Sequence, residues 1–472
     1  MQRKITESIE EWDRSGRRTA LLIRGSRQIG KTYSVREYGE RVYGDHFLEI
    51  NFADEPAVCR AFEGSLKTES IIMRLSAIYR DFDFVPGKTL IFLDEIQNCP
   101  NARAALKPLA LDGHYRIIAS GSLLGIRMRE IPLTPMGYLE RIEMFPMDFE
   151  EFLWALGMPQ GPINEVRKSI SENIEIDRSL FESFSDLYRR YLVVGGMPAA
   201  VSSFSTTGSF SSLGKIFNEI MEGYEDDISK YADDKIKARI KACMSAIPSI
   251  LASENHKFKY SRVTSPEGEE PFRQTGFSFF APALDWLSMA NISLACFNLT
   301  SLERPLQERV MVSSFKLYML DTGVLMSLYD DSVLRDIILD NRSVNMGAIT
   351  ENAVAMAFAV QKRPLMYYSK DDPRMEIDFV TMIGGRTCCI EVKSGSNRNC
   401  KSLNTAMASF DAEGIMFETR NIFVDKKGVR HYPLFASAFM DSIDPVADLT
   451  DDFSDIVKEV VERDKDVNKH GI

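Results

Sequence analysis

The sequence predicts a multidomain α/β protein whose first domain is built on a parallel β-sheet. A short apolar run, Leu21–Arg24, leads directly into the octet GSRQIGKT at residues 25–32. Further β-rich runs follow at spacings that leave room for a helix between them. Near-continuous apolar strands that alternate with helical segments are typical of a parallel sheet covered on both faces.

The octet matches the pattern GxxxxGK[ST] of a phosphate-binding loop. Gly25 and Gly30 permit backbone angles that a Cβ would obstruct, so successive N–H groups can curl around an anion. Lys31 is the predicted charge for the β- and γ-phosphate oxygens, and the Thr32 hydroxyl is a predicted Mg²⁺ ligand. The residues predicted to bind a nucleoside triphosphate are Gly25, Ser26, Arg27, Gln28, Ile29, Gly30, Lys31 and Thr32.

The later β-rich runs cover residues 47–52, 89–93 and 115–119. The second run ends in Asp94-Glu95. We expect Asp94 to hold the water shell of Mg²⁺ and Glu95 to polarise the water that attacks the γ-phosphate. An Asp-Glu pair after a strand is a weak signal alone, and the phosphate loop upstream makes it specific.

The third run ends in Ser120-Gly121-Ser122. In phosphate-loop proteins with a catalytic glutamate beside the magnesium aspartate, this strand lies between the other two. Its polar end would then lie beside the γ-phosphate, which makes Ser120 or Ser122 a candidate sensor. The alternative is a polar turn that caps the next helix.

Length and charge limit the classes of protein to which the chain can belong. The 472 residues predict three or four domains, each with its own core. The net charge of −11 argues against a generally DNA-coating surface and leaves room for a local basic groove. Seven cysteines without a CxxC pair, a polar amino end and no run of 18 apolar residues predict a soluble, cytoplasmic protein without a membrane segment.

The middle of the chain is predicted to contain a helical lid at 147–234, with Asp148 as a cap and a hinge-like turn at 192–198. The segment YEDDI at 224–228 fits either a charged contact toward the nucleotide or, as we favour, an ordinary helix surface. Residues 235–335 show helices followed by two β-like segments, the order of a winged-helix domain. Such a module binds DNA or serves as a rigid spacer.

A second group of charged residues lies near the carboxyl end. Gly384-Gly385 predicts a hairpin turn, so that Asp378 on one strand lies beside Glu391 and Lys393 on the other. Two carboxylates can hold Mg²⁺, and the lysine can steady a nucleophile or a phosphodiester charge. A helix that begins near residue 347 adds Glu351. The alternative is a surface hairpin with alternating charges. Farther along the chain, an amphipathic helix is predicted at 453–461.

Four segments, GSRQIGKT, TLIFLDEIQ, IIASGSLLG and MFPMDFEEFL, together resemble prokaryotic AAA-type ATPases that end in a domain of unknown function with a nuclease-like core. The resemblance implies ATP and Mg²⁺ as cofactors. AAA-type rings complete each site with an arginine from a neighbouring copy, so a homo-oligomer is a candidate assembly. Many relatives have a Gly-Arg pair where this chain has Gly137-Tyr138, and the remaining candidates are Arg127, Arg129 and Arg141.

The order helix Glu351, then Asp378, then Glu391-x-Lys393 is similar to the PD-(D/E)XK nuclease superfamily. This resemblance implies a restriction-endonuclease-like fold. It also implies a Mg²⁺-dependent phosphodiesterase site with Glu351, Asp378 and Glu391 as metal ligands, and with Glu391 and Lys393 as catalytic residues.

These observations predict four regions: a phosphate-loop ATPase domain at 1–146, a helical lid at 147–234, a winged-helix-like domain at 235–335 and a nuclease-like domain at 336–472. The leading hypothesis is Mg²⁺-dependent ATP hydrolysis, with Lys31, Glu95 and Ser120 as catalytic residues, coupled to a nuclease-like domain that acts on or holds DNA or RNA. The alternative is a nucleotide-gated switch that binds a protein or DNA partner without cutting it.

Overall fold

The computed structural model describes residues 1–122, 137–253, 256–264, 272, 276–339, 346–370, 375–395 and 400–444. Arg127, Arg129 and the helix predicted at 453–461 lie outside the described residues. Within the described ranges, none of the helices combines the length and the apolar character needed to cross a lipid bilayer.

A five-stranded parallel sheet forms the centre of the amino-terminal part. Its strands are Ala20–Arg24 (β1), Phe47–Asn51 (β2), Leu90–Asp94 (β3), Arg116–Gly121 (β4) and Leu139–Glu143 (β5). The helices of this part are Ile5–Arg14 (α1), Lys31–Tyr43 (α2), Thr68–Ile78 (α3) and Pro100–Asp112 (α4). The strand order is β2-β3-β4-β1-β5. The three predicted strands, and the predicted position of β4 between β1 and β3, are confirmed.

Both faces of this sheet are covered because consecutive strand residues are apolar. Leu21 and Ile23 of β1 pack in one core with α1 and α2. Leu22, which points to the opposite face, packs in a second core with α3 and α4. The parallel arrangement brings the carboxyl ends of β1, β3 and β4 to one edge of the sheet, beside the amino end of α2.

The next region is helical, as predicted. Its helices are Phe149–Ala155 (α5), Gln160–Glu172 (α6), Arg178–Val194 (α7), Pro198–Thr207 (α8) and Leu213–Tyr231 (α9). The predicted cap is also confirmed, because the Asp148 carboxylate accepts from the Glu151 backbone N–H at 2.8 Å and the Glu151 carboxylate accepts from the Asp148 N–H at 3.1 Å. This reciprocal capping box determines where α5 begins.

The turn between α7 and α8 is packed too closely for a side chain. A Cβ at Gly196 would lie 2.0 Å from the Met147 carbonyl oxygen, and one at Gly195 would lie 2.3 Å from Oδ1 of Asp321. Gly195 also has a φ of +67°, which favours glycine. The Gly196 N–H donates to Oδ2 of Asp321 at 2.6 Å. The turn predicted at 192–198 therefore attaches the helical region to the carboxyl-terminal part.

The carboxyl-terminal part contains an eight-stranded mixed sheet in the order β12-β13-β11-β10-β9-β8-β6-β7. Its strands are Ser293–Leu299 (β6), Val310–Met319 (β7), Met366–Lys370 (β8), Met375–Ile383 (β9), Arg386–Val392 (β10), Ala412–Glu418 (β11), Phe423–Val424 (β12) and Arg430–Pro433 (β13). The helices are Asp234–Leu251 (α10), Phe277–Met289 (α11), Thr322–Met326 (α12), Asp331–Ile338 (α13), Gly347–Val360 (α14), Lys401–Ser409 (α15) and Met440–Ile443 (α16).

The predicted hairpin is present between β9 and β10, which pair antiparallel. Gly384 and Gly385 have φ values of +54° and +73°. Positive φ at both central residues is the requirement of the tight hairpin turn that matches the twist of the flanking strands. The glycine pair therefore determines the register that places Asp378 beside the end of β10.

The ribbon predicted for the winged-helix region is formed by β6 and β7. However, β6 also pairs with β8 in parallel, with Phe297 opposite Met366. The ribbon thus extends the sheet of the carboxyl-terminal part, in contrast to the expectation of a separate domain that ends at residue 335. The physical reason is that the outer edge of β6 would leave backbone groups unpaired, and β8 satisfies them.

One hydrophobic core runs through all of these regions. Trp12 of α1, Phe149 of α5, Trp286 of α11 and Phe439 before α16 belong to the same buried cluster. Two smaller cores are each confined to one region, the first beneath α3 and α4 and the second within the carboxyl-terminal sheet. Aromatic contacts explain the continuity, because Phe149 packs on α7 and also on Phe439, with ring centroids 6.4 Å apart.

We expect Gly196→Ala to destabilise the protein by about 1–3 kcal/mol or more, because the new methyl group would overlap the Met147 carbonyl group. Gly214→Ala is the matched control, since a Cβ at that helical position meets no atom within 4 Å. Thermal unfolding of both variants checks the prediction. Equal melting temperatures for the two variants would contradict it.

Candidate functional site

The phosphate loop connects β1 to α2, the strand–loop–helix context that the sequence pattern requires. Gln28 and Gly30 have φ values of +63° and +91°, and a Cβ at Gly25 would lie 2.3 Å from the Met144 carbonyl oxygen. Alternation of ordinary and left-handed backbone angles makes a concave row of N–H groups. The loop is thus shaped by its own backbone and by the close approach of the segment after β5.

Lys31 lies inside this loop and is 5% exposed. Its Nζ donates to the carbonyl oxygens of Gly25 at 3.1 Å and Ser26 at 2.7 Å. Burial lowers the pKa of Lys31, and the nearby Glu95 and Asp94 oppose that change. The amine therefore lies where the loop residues converge, as expected for a group that contacts bound phosphates.

Asp94, at the end of β3, joins three of the predicted site residues. Its Oδ2 accepts from the Thr32 hydroxyl at 2.7 Å, and its Oδ1 accepts from the Ser120 hydroxyl and from the Glu95 N–H. The carboxylate is 1% exposed. The structure thus brings Thr32, Asp94 and Ser120 together, while Ser122 lies two residues farther along, at the end of a described range.

This group of oxygens suits Mg²⁺, the metal that the sequence predicts. Thr32 and Asp94 offer a hydroxyl and a carboxylate oxygen beside each other at the amino end of α2. Hard oxygen ligands of this kind, completed by water and phosphate oxygens, are what Mg²⁺ prefers. Thr32 and Asp94 are therefore the residues that would hold it.

Glu95 follows Asp94 and has a φ of +49°, an unusual angle for a residue with a side chain. Its carboxylate accepts a hydrogen bond from the Gln97 side-chain amide. Burial raises the pKa of Glu95, and Lys31 acts in the opposite direction. A carboxylate with a raised pKa is a stronger base, which suits the role predicted for Glu95.

Arg3 supports the loop from the amino end of the chain, and the sequence did not reveal this role. Its guanidinium donates to the Ile29 carbonyl oxygen at 2.7 Å, to the Phe145 carbonyl oxygen at 2.7 Å and to the Glu151 carboxylate at 3.0 Å. Arg3 is 6% exposed. It thus ties the phosphate loop to the first turn of α5.

Arg27 links the same loop to α9. Its Nη1 lies 2.9 Å from Oδ1 of Asp227, about 200 residues farther along the chain. Tyr224 and Asp227 are only 4% and 5% exposed. The favoured interpretation of residues 224–228 as an ordinary helix surface is therefore wrong for Tyr224 and Asp227, and the alternative of a contact toward the nucleotide loop fits the geometry.

Of the three candidate arginines, only Arg141 is among the described residues. It lies on β5, at the outer edge of the parallel sheet, and is exposed to solvent. Its role in a neighbouring copy stays a prediction.

The charged residues predicted near the carboxyl end also come together. We call Glu351, Glu376, Asp378 and Glu391 the carboxylate cluster. The Lys393 Nζ lies 2.5 Å from Oε2 of Glu391 and 3.9 Å from Oδ2 of Asp378. Burial and Asp378 raise the pKa of Glu391 to about 8, although Lys393 opposes this change. The structure thus brings Asp378, Glu391 and Lys393 together, and the roles predicted for them stay predictions.

A lysine that the sequence analysis missed lies within this cluster. The Lys316 Nζ on β7 is 2.7 Å from Glu351, 3.7 Å from Glu376 and 3.9 Å from Asp378. Glu351 also lies 2.5 Å from Nδ1 of His256. Within the described ranges, no group of three or more His, Cys, Asp or Glu side chains is arranged so that it could hold a metal ion.

Sequence signals existed for some of the missed residues. Asp148 and Glu151 show the spacing of a capping box, which could have directed attention to the partners of Glu151. Lys316 gave no signal, because alternating polar residues on a strand are usually exposed and this lysine is completely buried.

Comparison with known families divides the chain into three parts. Residues 17–153 match the family described as an AAA domain. Residues 185–334 match DUF8612 and residues 346–435 match DUF4143, both domains of unknown function. The second and third matches meet within the eight-stranded sheet.

Individual relatives are distant. An uncharacterized protein of Methanocaldococcus jannaschii is 22% identical over 365 residues, which are 76% of this chain and 71% of the relative. Among solved structures, C. elegans PCH-2 has a TM-score of 0.25 at 15% identity, over 43% of this chain and only about 60% of its own. DnaA of Aquifex aeolicus bound to AMPPCP has a TM-score of 0.27 at 13% identity, over 60% of this chain and 87% of its own. TM-scores this low carry no argument about function.

The strand–loop–helix geometry, the oxygens gathered around Asp94 and the match over residues 17–153 agree with one another. The amino-terminal part of the chain is thus similar to the AAA domain family, and its phosphate loop has the geometry that this similarity implies.

Proposed function

We propose that the chain hydrolyses ATP with Mg²⁺ and that its carboxyl-terminal part responds to the nucleotide bound in the phosphate loop. The observation that carries the proposal is the ion pair between Arg27 of the loop and Asp227 of α9. Through this pair, a displacement of the phosphate loop acts directly on α9, a helix that packs against the rest of the chain.

In this proposal each residue of the loop edge has one task. Lys31 contacts the β- and γ-phosphates, and Glu95 polarises the attacking water. Ser120, held against Asp94, reports whether a γ-phosphate is present. Magnesium bound with the triphosphate would supply positive charge toward the transferred phosphoryl group.

The contacts beyond α9 provide a route to the second sheet. A Cβ at Gly323, in α12, would lie 2.5 Å from the Phe217 ring of α9 and 2.5 Å from the Val194 carbonyl oxygen of α7. Asp321, at the start of α12, accepts from the Gly196 N–H and from the Val324 N–H. The strand β7, which carries Lys316, ends directly before this junction.

Burial raises the pKa of Asp321 to about 6, although the backbone N–H groups that it accepts from oppose the change. The two backbone N–H groups that donate to this carboxylate offset part of the cost of burying it. In this proposal, the packed junction between α7, α9 and α12 is the contact through which the ATPase domain acts on the carboxyl-terminal sheet.

We expect Glu95→Gln to bind ATP but to hydrolyse it about 10²- to 10⁴-fold more slowly, because an amide cannot act as the base. Glu63→Gln, an exposed position of the same domain, is the matched control and should hydrolyse ATP normally. Phosphate release measures turnover, and calorimetric titration measures binding. Normal turnover by Glu95→Gln would contradict the assignment, as would tight ATP binding by Lys31→Ala.

We expect Asp227→Asn to bind ATP but to lose the effect of ATP on the carboxyl-terminal part. The neutral amide weakens the pair with Arg27 by about 1 kcal/mol. Asp226→Asn is the matched control, since Asp226 precedes it on α9 and is exposed. Hydrogen exchange of β7 and α12, measured with and without ATP, should change in the wild type and the control only. An unaltered response in Asp227→Asn would refute this route.

A second candidate function is cleavage of nucleic acid by the carboxyl-terminal part. It is favoured by the convergence of Asp378, Glu391 and Lys393 on adjacent strands. This candidate predicts cutting of DNA or RNA with Mg²⁺ that is lost in Asp378→Asn. If the wild type cuts neither polymer, the carboxyl-terminal part holds a nucleic acid or protein partner instead.

A further inference from the structure

Lys316 is a completely buried lysine, with 0% of its side chain exposed. An ammonium group without water is strongly unfavourable unless carboxylates surround it. Here Glu351 and Asp378, which come from a helix and a strand far apart in sequence, both face the Nζ atom. The aromatic ring of Tyr367, whose centroid is 5.1 Å from Nζ, lies near it as well.

The oxygens of Glu351 are both in use. One oxygen accepts from Lys316 and from the Tyr318 hydroxyl, and the other faces His256. A divalent ion would need free lone pairs at about 2.0–2.1 Å for Mg²⁺. The Lys316 ammonium group holds one oxygen of Glu351 with a full positive charge, which repels a second cation at the same place.

Asp378 and Glu391 also face ammonium groups. Oδ2 of Asp378 accepts from the Val392 N–H at 2.9 Å, and its Oδ1 faces Lys316. Oε2 of Glu391 faces Lys393 at 2.5 Å. The three predicted metal ligands are therefore arranged around two ammonium groups. This donor set does not fit Mg²⁺, in contrast to the metal site that the resemblance to nucleases implies.

We infer that Lys316 is the resident cation of the carboxylate cluster: its ammonium group takes the place between Glu351 and Asp378 that sequence analysis assigns to a divalent metal. A metal ion can bind there only if Lys316 is removed or displaced. If Lys316 holds this place, the wild-type protein does not cut nucleic acid with a metal bound there, which opposes the second candidate function. ATP hydrolysis at the phosphate loop is independent of this site, so the two fail separately.

The test is a titration of Mn²⁺ into the full-length protein without nucleotide, followed by electron paramagnetic resonance of the free ion. Four proteins are compared: wild type, Asp378→Asn, Lys316→Met and the double variant. Any Mn²⁺ that binds near the phosphate loop binds to all four proteins alike. It therefore does not affect the differences between them in the number of bound ions. Wild type and Asp378→Asn should bind the same number of ions, whereas Lys316→Met should gain a site that the double variant lacks.

We expect the gained site to be weakened by roughly 10- to 100-fold or more when Asp378 is changed in the Lys316→Met background, because loss of even an outer-shell partner of a metal ligand typically costs that much affinity. Lys316→Arg, which keeps the positive charge, should not gain the site. Binding of an additional Mn²⁺ by the wild type that Asp378→Asn abolishes would overturn the inference. A Lys316→Met protein that folds but gains no site would overturn it too.

The comparison of wild type with Asp378→Asn decides the question even if Lys316→Met does not fold. Thermal unfolding with and without Mn²⁺ gives a second readout of that comparison. An equal effect of Mn²⁺ on both melting temperatures supports the inference, and a larger stabilisation of the wild type contradicts it.

Discussion

The arrangement of this molecule depends on the buried carboxylate of Asp321. Its two oxygens accept from Gly196, in the turn between α7 and α8, and from Val324, in the first turn of α12. One side chain thus joins the helical region to the end of β7. Because both glycines of the turn touch neighbouring atoms so closely, the contact leaves no room for an alternative packing.

This junction explains why the chain does not divide into independent units. The helices between the two sheets bury aromatic side chains in one cluster that reaches both of them, beside two smaller cores, one in each sheet region. A continuous, densely packed core transmits small displacements better than a flexible linker does. The phosphate-loop region and its neighbours are therefore joined by direct packing along this cluster.

The sequence was most informative where a short stretch of chain determines the structure. The phosphate loop, the strand end at Asp94, the capping box at Asp148 and the hairpin turn at Gly384 all follow from local chemistry, and the structure contains each of them. Interactions between distant segments were not predictable in this way. The pair of Arg27 with Asp227 joins residues far apart, and neither residue type is unusual for a surface.

The same limit applies to the carboxylate cluster. Alternation on β9 and β10 was enough to place Asp378 near Glu391, whereas the lysine between Glu351 and Asp378 comes from β7, a strand assigned to a different domain. We assigned β7 to a separate domain because helices followed by a two-stranded ribbon are the order of a winged-helix module. In the structure, β6 pairs with β8, and this pairing joins the two regions in one sheet.

The strand β7 has a property that follows from where its two ends lie. Its final residues adjoin Asp321, and three residues earlier in the strand Lys316 reaches the acidic interior of the second sheet. As the outermost strand, β7 is paired within the sheet with one strand, β6. A single stretch of extended backbone therefore joins the junction at Asp321 to the carboxylate cluster, so that a change in either place bears on the same strand.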